Sequence, residues 1–415
     1  VKRVRDAIAQ AYGGISDQTD AYLSEELYQG AVSARIERLH QERVEPILAK
    51  IANAGKSMDV TLDDVNSFLH ARHAPERNAQ MKKINPNMQN NDALSGMSDQ
   101  EAAKVISELG ANGKLPAIQR IAADIDQLLK DVRTDLVADG LEEASVISAW
   151  ENTYKYYVPL QRDIKSSGTP RGMGISVRGP ESKRAVGSNR QVVNILANIV
   201  TQAETEAIRA EKSKVGRTLL SMARAYPNPD FWKVDDIPTK PVINKDTGLV
   251  DRNAIDPLYQ TADNVVMVKD YGQTHFVVFN TQNERAMQMA RALKNLDVAV
   301  SNVGFEIARK GTQFMASLLT QRNPVFWLTN FSRDIQGVMI NLEGTAAEGM
   351  QKQVIENLPK AFAGMHALAR NTGKQSQWAR YAREFKDAGG TTGYMQVFQT
   401  SEMRMKDLQK QVDRM

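Results

Sequence analysis

Apolar residues recur at helical spacing along most of this chain. Tyr22, Leu23, Leu27, Val32, Ile36 and Leu39 share one face of a helix beginning near Thr19. Pro46 predicts a kink or break in it, and Gly55 its end. Thr61, followed by Asp63 and Asp64, caps the next helix, which buries Val65, Phe68 and Leu69. Pro75 is expected to disturb that helix, and residues 79–97, without a period, read as irregular. Ser98 and Glu101 form a capping box for a helix ended by Gly110. Ile118, Ile121, Ile125, Leu128, Leu129, Val132 and Leu136 mark a helix opened by Pro116 and stopped by Gly140. A further helix runs from Leu141 past Trp150 and gives out at residues 154–160. Val192, Ile195, Leu196, Ile199 and Val200 predict a long helix over residues 189–224, ended by the prolines that follow Tyr226.

One stretch alternates like a strand pair. Val265–Val268 and Phe276–Phe279 flank Asp270-Tyr271-Gly272, which predicts a hairpin over about residues 264–280. A lone two-stranded hairpin is marginal in water, so it must pack on helices. Residues 230–263 read as loop. Thr281 and Glu284 predict a second capping box, opening a helix to about Leu296, and another helix spans residues 298–320. Asn323-Pro324 then starts a helix to Asn341 that is apolar almost all round, through Val325, Phe326, Trp327, Leu328, Phe331, Ile335 and Val338. Such a helix is buried on nearly every side and is expected at a centre. Only Asn330, Asp334, Gly337 and Asn341 make a polar edge. Helices near 351–371 and 375–386 follow, broken at Gly389-Gly390. The fold class is therefore mainly α, an elongated multi-helix assembly with one β-hairpin (264–280) packed on helices. Four regions are expected: residues 1–160 helical; 161–188 a basic, Gly-rich loop; 189–280 a long helix, a Pro-rich loop and the hairpin; and 281–415 helical around the central helix 324–341.

Composition narrows the chemistry. Hydrophobic residues make up 42% of the 415, enough for a core, with few aromatics and 17 methionines to fill it adaptably. The absence of cysteine excludes disulfides and thiolate metal sites. No run of 18 apolar residues predicts a membrane span. The chain opens on Val1 and stops in a helical pattern, as a piece of a longer polypeptide would. The net charge is +4, but residues 161–190 hold seven basic side chains against two acidic ones, a local +5. Lys165, Arg171, Arg178, Lys183, Arg184 and Arg190 are thus candidates for binding DNA or another polyanion. Base stacking has no aromatic side chains to use there, which argues against sequence-specific reading.

His70, His73 and Arg77 lie at i, i+3 and i+7 on one helix face, with Glu76 and Asn78 beside them. Two histidines and a carboxylate can ligate zinc, but the zincin arrangement and a third ligand are missing, so the motif reads as polar packing with no metal. Asp334, with Asn330 and Arg333, could form a catalytic acid and its orienters. No nucleophile elbow, phosphate loop or paired-carboxylate signature accompanies them, and a buried structural network is the better reading. Asp334 then needs a cationic partner, with Arg77 expected first and Arg72 second. No catalytic residue and no cofactor is implied.

Four segments in fixed order carry a resemblance: ARHAPERN (Ala71 to Asn78), YVPL (Tyr157 to Leu160), the 265–279 hairpin, and Asn323-Pro324 through Asn330, Arg333 and Asp334. Together they resemble a large polyvalent-protein-associated domain, found in very long proteins of tailed phages and mobile elements, over roughly residues 60–390. The resemblance implies a non-enzymatic structural segment of an internal virion or ejection protein. Such a segment would lie in the virion interior and later in the host envelope or cytoplasm. Its partners would be further copies of itself, other virion proteins and, through the basic loop, DNA. The alternative is a nucleic-acid-binding module of a mobile-element protein that protects or handles incoming DNA.

Overall fold

A computed structural model describes residues 1–84, 92–160, 194–236, 239–243, 250–255, 262–294, 349–369, 376–390 and 401–415. Its chain divides into two compact units. The first comprises Val1–Gly168, Gly172–Asp297 and Thr391–Met415; the second comprises Thr169–Arg171 and Val298–Gly390. The basic candidates between residues 165 and 190, and Asn330, Arg333 and Asp334 with the helix expected over 324–341, lie outside the described residues.

In the first unit the helices are α1 (Lys2–Tyr12), α2 (Ala21–Leu39), α3 (Glu45–Met58), α4 (Leu62–Ile84), α5 (Asp99–Ala111), α6 (Leu115–Ala138), α7 (Ala144–Thr153) and α8 (Ile195–Ala225). After strands β1 (Trp232–Val234), β2 (Thr239–Ile243), β3 (Val250–Ile255), β4 (Val265–Asp270) and β5 (Gln273–Phe279) come α9 (Glu284–Lys294) and, past the second unit, the helix Ser401–Arg414. The second unit contributes α10 (Gln351–Ala369) and α11 (Gln377–Asp387), so the last helix is α12. The predicted mainly α class, with a small β element on helices, is what is found.

Helix α8 organises the first unit. It has 31 residues and is ~46 Å long at 1.5 Å per residue. Its first half packs Ile195, Leu196, Ile199, Val200 and Ala203 into one core with α4, α6 and α12. Its second half packs Val215, Leu219, Leu220 and Met222 with α2, the sheet and α9. The sheet has the antiparallel order β1-β5-β4. Alternation sends Val266, Val268, Val277 and Phe279 into the α8 core, while Val265, Met267 and Phe276 form a small cluster on the other face. Tyr271 (φ 48°) and Gly272 (φ 83°) make the turn, and two successive positive φ values fit the right-handed twist of a two-residue hairpin. Gly216 lets the sheet approach α8: a Cβ there would lie 3.4 Å from the Val268 methyls.

Caps and breakers depart from the sequence in instructive ways. Thr61 and Asp64 cap α4 reciprocally (3.1 and 2.9 Å), and Ser98 and Glu101 cap α5 as expected. Pro46 does not end the helix but interrupts its regular form: a π-helical segment, His40–Val44, joins α2 to α3 directly before it, Glu45 N–H reaches back to His40 O, and this wider turn accommodates the hydrogen bond that Pro46 cannot make. Gly55 stays inside α3, which ends instead at left-handed Asp59 (φ 53°). Pro75 lies within α4, which continues to Ile84 and takes in part of the stretch read as irregular. Its neighbours in the helix are anchored to other elements, as described below, and that offsets the one lost hydrogen bond. Residues 230–263 are not all loop, since β1 joins the hairpin and β2 pairs antiparallel with β3. Asn283, not Thr281, caps α9, accepting from Arg285 N and Ala286 N. In the second unit α10 and α11 pack together where Gly364 meets Trp378; a Cβ at Gly364 would come within 2.6–2.7 Å of that residue.

Candidate functional site

The part of α4 that runs from Asn66 through ARHAPERN holds four other parts of the first unit. At its far end Asn78, 2% exposed, uses its whole amide: Nδ2 donates to Met97 O (3.0 Å) and Asp99 Oδ1 (2.8 Å), and Oδ1 accepts from Ser95 N (2.7 Å). His70, also buried, places Nε2 3.1 Å from Ser95 O; a carbonyl only accepts, so Nε2 carries the proton. These contacts fix the turn that leads into the Ser98 cap of α5.

The opposite edge meets residues 154–157. Glu76 Oε2 accepts from Tyr156 N (3.1 Å), and Arg77 donates to the Tyr154 hydroxyl (3.1 Å). His73, 1% exposed, stands edge-on to Tyr154 and Tyr157, with ring centroids 5.3 and 5.9 Å away. Arg72 makes a forked pair with Asp126 of α6 (2.9 and 2.6 Å) while its guanidinium lies 4.5 Å over the Tyr156 ring. Asn66, two turns before His73, accepts from Leu196 N at the start of α8 (2.9 Å). This stretch of α4 thus ties α5, α6, α8 and the 154–157 segment.

Burial governs the electrostatics of these groups. Burial, reinforced by the positive charge of Arg77, pushes the His73 imidazole down to about 3, so it is neutral at any ordinary pH. Burial likewise pushes the Tyr157 phenol up. His73 Nδ1 lies 3.9 Å from Glu76 Oε2, beyond hydrogen-bond reach, and is unpartnered, as are the buried Nε atoms of Arg72 and Arg77. Among the described residues no group of three or more His, Cys, Asp or Glu is placed to hold a metal ion.

The sequence-predicted residues His70, His73, Glu76, Arg77 and Asn78 all meet here. Arg77 binds Tyr154 and Arg72 binds Asp126, while Asp334, their expected partner, lies outside the described residues. Asn66, Ser95, Asp126 and Tyr154 were not foreseen. Only Tyr154 left a signal, as the first of the two tyrosines before YVPL.

A separate cavity of about 400 Å³ lies between α2, α6 and α8. Two of its arginines are paired: Arg35 with Asp139 and Glu211, and Arg43 with Asp135 and Asp131. No family model, curated protein or solved structure matches the chain.

Proposed function

We propose that this chain is a non-enzymatic structural segment of a tailed-phage internal virion protein, an ejection protein that helps deliver the viral genome into the host. It works with further copies of itself as a conduit, first inside the virion and then at the host envelope. One observation carries this reading. ARHAPERN and YVPL, two of the segments on which the family resemblance rests, meet about 80 residues apart in sequence: His73 stands edge-on to Tyr157, the first residue of YVPL, while Glu76 and Arg77 hold Tyr156 and Tyr154 just before it. Residues of a shared motif that are spent on holding elements together belong to a scaffold. Catalysis would leave some of them facing a cleft.

Electron microscopy of the purified chain tests this. Rings or tubes are the expected result. A second reading, a module that protects or handles incoming DNA, draws on the +5 charge of residues 161–190. If five to seven phosphates are engaged there, the log–log salt slope of DNA binding is about −4.5 to −6. A chain that stays monomeric and binds DNA with that slope, lost on neutralising Lys165, Arg171, Arg178, Lys183, Arg184 and Arg190, replaces the conduit with the DNA module.

A further inference from the structure

Helix α12 returns to the first unit after residues 298–390 have formed the second. Its sequence, SEMRMKDLQKQVDR, offers the core one narrow stripe. Leu408 is fully buried, and Met405 and Val412 are partly so, against α3 and α8. Fourteen residues this polar do not hold a helix on their own in water, so α12 is helical only while docked.

The rest of its hold is polar: Lys56 of α3 donates to Met415 O just past its end (2.6 Å), and a buried carboxylate holds its start. Glu204 of α8, 4% exposed, accepts from Arg404 of α12 through Oε2 and meets His40 Nε2 at 2.6 Å through Oε1. His40 opens the π-helical segment between α2 and α3, so Glu204 joins three elements at one point. Two details weaken the docked state. Arg404 buries an Nε–H with no acceptor, a cost that undocking removes. Glu204 keeps His40 when Arg404 leaves, so release does not strand it without a partner.

We infer that α12 is a releasable strap: it leaves the first unit as one piece, ahead of global unfolding, and Glu204 sets how often. Its release opens an apolar slot between α3 and α8. This stands apart from the conduit reading and fails or holds without it.

Native-state hydrogen exchange on the whole chain, read by mass spectrometry, tests the strap. Amides of residues 404–414 are expected to exchange at least tenfold faster than those of α6 and the middle of α8. Glu204→Gln should speed them at least a further tenfold and leave α6 unchanged. Should that variant fail to fold, Arg404→Gln, which keeps the α8 carboxylate and its histidine, should give the same selective effect. Exchange of α12 in step with α6 in the parent chain overturns the inference, as does a variant that speeds both helices equally.

Discussion

At His73 a single side chain sets a pH limit. Its folded-state value, about 3, lies below the ~6.5 of an unfolded histidine, so the unfolded chain takes up the proton first. Its share of stability is complete above about pH 6.5 and is lost as pH falls from there toward 3. Between pH 7 and 5 the loss is about 2 kcal/mol, at 1.36 kcal/mol per unit. Urea midpoints of the parent and His73→Gln at the two pH values isolate it: the parent should lose about 2 kcal/mol more than the variant. Equal losses would mean that the imidazole is not buried in neutral form. At this scale the sequence was half legible. The i, i+3, i+7 spacing placed His70, His73 and Arg77 on one face, because helical periodicity is local information. What they touch is not local: Asp126 and Ser95 sit in stretches where an Asp or Ser reads as ordinary surface or turn, and only the packing of α4 on α6 gives them a role.

Among elements, α8 and the strand β4 show how one missing side chain sets a spacing. At Gly216 a Cβ would touch Val268 at ordinary van der Waals distance, 3.4 Å, so a methyl fits and anything longer does not. Gly216→Ala should be neutral or stabilise by up to ~1 kcal/mol through helix propensity. Gly216→Leu should cost about 1–3 kcal/mol as the sheet is pushed away. Thermal unfolding of the pair checks this; equal effects would show that the sheet does not bear on the helix there. Element type was readable wherever the period was long, as in α6, whose seven predicted apolar positions are all buried. It failed where punctuation was ambiguous. Pro46 and Pro75 look alike in sequence, yet one follows a π-helical turn that accommodates it and the other lies deep in a helix whose neighbouring residues are tied down. The strands β2 and β3 carry too little alternation, between prolines, to stand out from loop.

For the whole molecule, nothing in the sequence announces that α12 rejoins the first unit, since its short apolar stripe would suit many partners. The chain leaves the first unit after α9 and comes back at α12, so the second unit is an insertion with both its ends held by the first. That topology decides how the chain responds to mechanical load. Force applied at residues 1 and 415 passes through the first unit and across the docked α12 before it can reach the inserted residues 298–390. Under tension α12 is therefore a fuse that shields them until it shears away. Optical-tweezer traces should show a small first extension, the length of α12 and its leader, before any larger rip. Glu204→Gln should lower the force of that first step alone, and traces whose first event is the extension of the inserted unit would show that the fuse does not exist.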